Sequence, residues 1–174
     1  KVCEGTVERL LELDYIVDHF SSVPVTKMKP VIQNILRSAV YQIRFMGGVP
    51  DASAVDEAVK LAQAKGFYNL KGFVNGVLRS VVRSGDTVEY PNPKTDPVGY
   101  LSIVYSTPSW LVNYWFDEFG EDVTAVMLKS FMTERPTTVR FKTSRITKRE
   151  ILTSLRDQGV EVRHASYLPY AYNI

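Results

Sequence analysis

The sequence holds one cysteine, Cys3, and two histidines, His19 and His164. One cysteine excludes an intrachain disulfide, which fits a reducing compartment. The histidines lie in different halves of the chain, and with a lone cysteine they match no familiar zinc spacing. Cys3 has no activating partner in sequence and is expected to be a small buried residue. No apolar run approaches the ~20 residues of a membrane span, and there is no charged, then apolar, then small-residue leader pattern. These readings predict a cytoplasmic protein without a membrane partner. There is no P-loop, and no G-x-G-x-x-G follows a strand pattern. The sequence therefore offers no catalytic, cofactor or metal residues. Strong charge is missing too: the net charge is +2 and the pI about 8.6. Any nucleic-acid surface must come from local clustering of cations.

What is present reads first as helices. Hydrophobic residues make up 45% of 174 residues, enough to bury a sizeable core. Val7, Leu10, Leu11, Ile16, Val17 and Phe20 recur at helical spacing over residues 6–20. Pro30 is placed as a first helical residue, and Val31, Ile32, Ile35, Leu36, Ala39, Val40 and Ile43 form one stripe after it. Ser53 with Asp56 reads as a variant capping box for a helix ending at Gly66. Residues 71–85, KGFVNGVLRSVVRSG, carry Phe73, Val74, Val77, Leu78, Val81 and Val82 on one half of a helix. Asn75, Gly76, Arg79 and Arg83 fall on the other half. Residues 1–85 are thus expected to be an all-α domain.

Residues 86–99 contain three prolines and mostly polar residues, which block helix and central strand alike. A Pro-rich linker over residues 86–106 is the expected domain boundary, with 100–106 extended or a connector. Thr107 and Pro108 then open a helix that Gly120 closes, and Trp110, Leu111, Tyr114 and Trp115 share a face. That stripe reads as core, with base stacking as the alternative. A further helix covers roughly 121–133, with Val123, Met127 and Phe131 as its apolar side. Residues 137–142 alternate as a strand. Thr147 and Glu150 form a full capping box for a helix burying Ile151, Leu152 and Leu155. Residues 160–164 alternate again, and 170–174 are a last strand. The order β-α-β-β is half of a ferredoxin-like plan. The chain opens on Lys1 directly into a helical pattern and ends on a β-prone run, so a segment of something longer is expected.

Clustered cations are the remaining signal. Lys27, Lys29, Arg37 and Arg44 precede Lys71, Arg79 and Arg83; Arg135, Arg140, Lys142, Arg145, Lys148 and Arg149 form a dense run later. A strand presenting Arg140 and Lys142 on one face offers phosphate contacts at ~7 Å spacing. A solvated face is the other reading.

With these residues set out, AVYQIRFMGGVPDASAVDEAVKLA followed by GFVNGVLRSVVR resembles a helical RNA-binding domain of NusB type. YLSIVYSTPSWLVNYWFDEFG and ERPTTVRFK resemble the stretch that follows it in bacterial RNA cytosine-C5 methyltransferases of the Sun (Fmu/RsmB) type. The resemblance implies a multi-domain protein: residues 1–85 NusB-like and lacking a leading helix, 86–106 linker, and 107–174 a small, incomplete α+β subdomain. It further implies a parent enzyme that methylates C5 of a cytosine in small-subunit ribosomal RNA using S-adenosylmethionine. The cofactor site and a cysteine pair would lie in a later catalytic domain, absent here, so no cofactor is expected on this segment. The implied partners are ribosomal RNA, met by Lys71, Arg79, Arg83, Arg135, Arg140, Lys142 and Arg145, and that catalytic domain. A free-standing NusB-like antitermination module is the alternative.

Overall fold

The helix most strongly marked in the sequence begins at Pro30, whose missing N–H costs nothing at a first turn. It runs Pro30–Phe45 (α3) and buries Ile32, Ile35, Leu36, Ala39, Val40 and Tyr41. In the computed structural model, which describes residues 1–85, 87–133, 136–165, 168 and 170–174, every helix of the N-terminal half packs toward this stripe. Two short helices precede it, Val2–Glu8 (α1) and Leu10–Phe20 (α2). Asp51–Ala64 (α4) and Lys71–Ser84 (α5) follow. Leu13, Ile16, Val17, Leu36, Val74, Leu78 and Val81 are essentially inaccessible. At ~1.5–3 kcal/mol for each fully buried side chain, this cluster dominates the folding energy of the region.

The single helix expected over 6–20 is instead broken at Arg9, which caps α1 and opens α2. Arg9 leaves the helical conformation to pair with Glu12 at 2.7 Å and to lie over the Phe45 ring at 4.2 Å. Gly5 is buried where α1 crosses α3, and a Cβ there would overlap the Tyr41 ring. Cys3, expected to be buried, is exposed on α1. The capping box expected at Ser53 does not form. The helix starts three residues earlier, after Pro50, and Asp56 pairs with Lys60 at 2.7 Å. Pro50 stands at the cap with φ −62°, and its carbonyl accepts from the Ser53 and Ala54 N–H groups.

Three more helices belong to the same compact unit, which spans Lys1–Met132; a second unit spans Thr133–Ile174. Residues 86–106 fall within the first unit. They are tied back to α2. The Tyr15 hydroxyl donates to the Glu89 carbonyl at 2.7 Å, and the Tyr90 hydroxyl donates to Glu12 at 3.1 Å. The stretch read as extended is a helix, Pro97–Val104 (α6), capped by the Asp96 carboxylate on the Gly99 N–H. The Leu11 N–H, one of the donors left over at the start of α2, finds the Ser106 hydroxyl oxygen at 2.8 Å. Ser109–Phe119 (α7) starts one residue later than expected, and Glu121–Phe131 (α8) follows it, with Gly120 at φ 80° between them. Glycine takes that left-handed conformation without strain.

The aromatic stripe of α7 is divided: Leu111 and Trp115 are half-buried, with Trp115 against the α6–α8 cluster, and the other two residues point out. Trp110 is 69% exposed and Tyr114 56%, whereas Val112 is fully buried. On α8 the buried residues are Thr124 and Leu128, and the expected apolar side leaves Val123 and Phe131 exposed. A small cluster of Leu101, Val112 and Leu128 joins α6, α7 and α8.

The second unit has a three-stranded antiparallel sheet. Its strands are Thr138–Arg140 (β1), Arg163–His164 (β2) and Ala171–Asn173 (β3), in the order β1-β3-β2. Val139 pairs with Tyr172, and His164 pairs with Tyr172 from the other side. Lys148–Asp157 (α9) lies between β1 and β2 in sequence. Its capping box is complete: the Glu150 N–H donates to the Thr147 hydroxyl oxygen at 3.3 Å, and the Thr147 N–H donates to the Glu150 carboxylate at 2.8 Å. That carboxylate is held below its usual pKa by the Thr147 hydroxyl and N–H. Ile151, Leu152 and Leu155 are half-buried rather than buried. Ala171 and Tyr172 form the core of this unit, with Phe141 stacked on Tyr172 at 4.4 Å.

Candidate nucleic-acid interface

On α5 the valines and Leu78 face the core, and the other half of the helix is presented as the periodicity demands. Arg79 Nε donates to the Asn75 side-chain oxygen at 3.1 Å, and Arg83 donates to the Ser80 hydroxyl at 3.2 Å. Both arginines line a cleft of about 410 Å³ between α4 and α5. Its apolar wall is Val55, Val59 and Val82, and Asp56 and Asn75 also line it. Neither arginine has an acidic partner among the described residues. The space over Gly76 is open, since a Cβ there would meet nothing within 4 Å. Lys71 is exposed at the first residue of α5 and does not line the cleft.

Other cations of this unit are occupied structurally. Arg37 grips Asp14 through two hydrogen bonds, at 2.6 and 2.8 Å. Arg44 reaches the Val81 carbonyl and the Ser84 hydroxyl. Such two-pronged pairs are the strong form of charge-assisted hydrogen bond, and they hold α2 and α5 to α3. These two arginines were candidate surface cations in the sequence, and the fold uses them instead.

In the second unit Arg140 and Lys142 lie at the end of β1 and share a cleft of about 430 Å³ with Phe141, Thr143, Ser144 and Tyr170. The Arg140 guanidinium stands 5.9 Å from the centre of the Tyr170 ring. Arg145 follows in the same loop and is exposed, as are Lys148 and Arg149 at the start of α9. None of Arg140, Lys142 and Arg145 has an acidic partner among the described residues. Arg135 lies outside the described residues. The structure thus groups Arg79 with Arg83, and Arg140 with Lys142.

Charge is divided unequally between the units. Residues 1–132 carry 13 Lys and Arg against 15 Asp and Glu; residues 133–174 carry eight against four. The second unit is therefore at +4 and the first at −2, a contrast the whole-chain value of +2 conceals.

Sequence reasoning missed Tyr170 and the Thr143–Ser144 hydroxyls. Tyr170 is 51% exposed, although its neighbour Tyr172 is buried. An aromatic residue next to a strand and a dense basic run elsewhere in the same small unit was the available signal. His164 packs its ring edge against Tyr172, and His19 packs against Phe20. Among the described residues no cluster of histidine, cysteine and carboxylates could hold a metal, and no helix is long and apolar enough to cross a membrane.

Comparison with known proteins gives this geometry a context. Residues 1–83 match the NusB family, and residues 107–174 match the ferredoxin-like domain of RsmF/B-like methyltransferases. Over 162 residues the chain is 33% identical to the probable ribosomal RNA small subunit methyltransferase B of Bacillus subtilis, covering 91% of this chain and 35% of that protein. It is 27% identical to the protein of the same name from Synechocystis, covering 95% of this chain and 36% of that one. The chain thus spans about a third of the length of these curated relatives. The crystal structure of PH0851 superimposes with a TM-score of 0.73 at 19% identity, over 98% of this chain and 38% of that one, and shows the shared fold. The chain belongs to the proteins that join a NusB-family domain to an RsmF/B-type ferredoxin-like domain.

Proposed function

We propose that these two domains are the RNA-recognition portion of an S-adenosylmethionine-dependent methyltransferase acting on cytosine C5 in small-subunit ribosomal RNA. The observation that carries the reading is the pairing of the two domain types in one chain, aligned over 91% of its length with a relative named as a probable ribosomal RNA small subunit methyltransferase B. The unpaired cations of the second unit supply the chemistry. Arg140, Lys142 and Arg145 offer charged donors to phosphate oxygens with no acid to compete for them. Arg79 and Arg83 offer a second, smaller set. Phosphate contacts of this kind set affinity and register rather than sequence.

Methyl transfer to C5 requires a thiolate to add to the pyrimidine ring first, because C5 is a poor nucleophile until the ring is covalently activated. Cys3, exposed on α1, has no neighbour that would activate it and lies outside the catalytic motifs of the resembled family. The thiolate and the cofactor site are assigned to a separate catalytic domain of the parent enzyme. A free-standing antitermination-type module is the weaker reading, because residues 107–174 match a domain of the methyltransferases.

The test is binding of the 174-residue chain to fragments of small-subunit ribosomal RNA as salt is raised. Affinity that falls steeply and log-linearly with salt is the expected result. Absence of any salt-sensitive affinity would remove RNA recognition from these domains.

A further inference from the structure

The cleft at the end of β1 combines features that phosphate binding alone does not require. Two cations, Arg140 and Lys142, line it. An exposed aromatic ring, Tyr170, stands among the same lining residues, and so do two hydroxyls, Thr143 and Ser144, that have no side-chain partner among the described residues. The volume, about 430 Å³, is in the range of sites that take a small organic ligand.

The other aromatic residues of the sheet are unavailable for such a role. Tyr172 is 4% exposed, covered by Phe141 at 4.4 Å and by the edge of His164 at 5.1 Å, with the Lys148 ammonium 5.0 Å from its ring centre. Phe141 spends a face on Tyr172. Tyr170 is therefore the one exposed tyrosine or phenylalanine ring of the described residues in this unit, and Arg140 and Lys142 line the same cleft. Arg140 approaches it only to 5.9 Å, near the outer limit of a cation–π contact, so the ring is not consumed by that pairing.

We propose that this cleft is a subsite for one unpaired nucleotide of RNA, the base stacking on Tyr170 and the flanking phosphates meeting Arg140 and Lys142. The inference rests on the RNA-recognition reading above and adds a base-contacting residue to it. A ring that stacks has no hydrogen-bond code, so the subsite accepts any base and selects for single-stranded over paired RNA. Folded helices would present phosphates to Arg140 and Lys142 but no free base face to Tyr170.

The experiment uses the full 174-residue chain and a short oligouridine, with an abasic ribose-phosphate oligomer of equal length as the backbone-only probe. Tyr170→Ala is expected to weaken oligouridine binding roughly 5- to 150-fold, the range for loss of one stacked base. It should leave the abasic oligomer and the slope of log affinity against log salt unchanged. Tyr170→Phe keeps the ring and should bind as the native chain does, which also controls for folding. Equal weakening of both probes by Tyr170→Ala, or none for oligouridine while the native chain still shows salt-sensitive binding, overturns the subsite and leaves RNA recognition standing. Failure of the native chain to bind either probe at any salt overturns both.

Discussion

The division of charge makes the response of RNA binding to salt the sharpest test of where the interface lies. Consider Arg140→Ala, Lys142→Ala and Arg145→Ala combined. All three side chains are exposed and lack acidic partners, so folding should change by no more than about 0.5 kcal/mol per site. Each phosphate contact on a single strand releases condensed counterions and contributes about 0.7 to the slope of log affinity against log salt. Removing three contacts should lower that slope by about 2. Between 50 and 200 mM salt, a fourfold change, the deficit of the triple variant should shrink about 20-fold. The pair Arg79→Ala and Arg83→Ala has an upper bound of about 1.4 in slope, reached only if both meet phosphate. Fluorescence anisotropy of a labelled ribosomal RNA fragment, titrated at four or five salt concentrations, resolves these differences. Circular dichroism melts confirm that the variants are folded. A triple variant with the native slope would refute the placement of the interface on the second unit, whatever its affinity at one salt concentration.

Three stability predictions follow from the core. Gly5→Ala gains up to about 1 kcal/mol of helix propensity but drives a methyl into the Tyr41 ring, itself only 8% exposed. A net loss of about 1–3 kcal/mol is expected in urea denaturation. Leu78→Ala, at a fully buried site of α5, should cost about 2–5 kcal/mol by the same measurement. Tyr90 is held well above the ordinary tyrosine range, first by burial and then by the negative charge of Glu12. The unfolded chain loses that proton near pH 10 while the folded chain keeps it, so stability falls as pH rises past about 10. Tyr90→Phe should flatten this alkaline decline in melts between pH 8 and 11, at a cost of about 1 kcal/mol at pH 8.

Much of the fold is legible in the sequence, and the failures have physical causes. The stripes of α3 and α5 are wide and regular, and each helix faces a large core, so periodicity and burial agree. Pro30, Gly85, Gly120 and the Thr147–Glu150 box act through local backbone chemistry, which sequence reports directly. The face of α7 was misread because apolar spacing identifies a helix but not how much protein exists to cover it. Trp110 and Tyr114 lie on a helix whose buried contact is a three-residue cluster, and Val112, with Trp115 and Phe116 packed beside it, fills that space. The same holds for Val123 and Phe131 on α8. The proline-rich composition of residues 86–99 marks a connector, but composition carries no information about the long-range hydrogen bonds that such a connector makes. Tyr15 to Glu89, Tyr90 to Glu12 and Leu11 to Ser106 join residues 74 to 95 positions apart, and they keep the stretch within the first unit.

The candidate site was legible in its residue types and not in its grouping. Arginines at 37, 44, 79 and 83 look alike along the chain, yet the fold spends the first pair on Asp14, Val81 and Ser84 and leaves the second pair beside an apolar cleft. That difference separates a cation that builds a domain from one that can recruit a partner. The same logic orders the two remaining sets. Arg79 and Arg83 stand in a unit of net charge −2, so the long-range attraction they exert on a polyanion is largely cancelled. Arg140, Lys142 and Arg145 stand in a unit of +4, where the field and the local donors act together. On the proposed RNA-recognition reading, electrostatic capture falls to the second unit. The valine-walled cleft of α5, half apolar, is better suited to short-range contacts made after capture. On this account, mutation of the second unit should change the association rate with RNA, and mutation of Arg79 and Arg83 should act on dissociation.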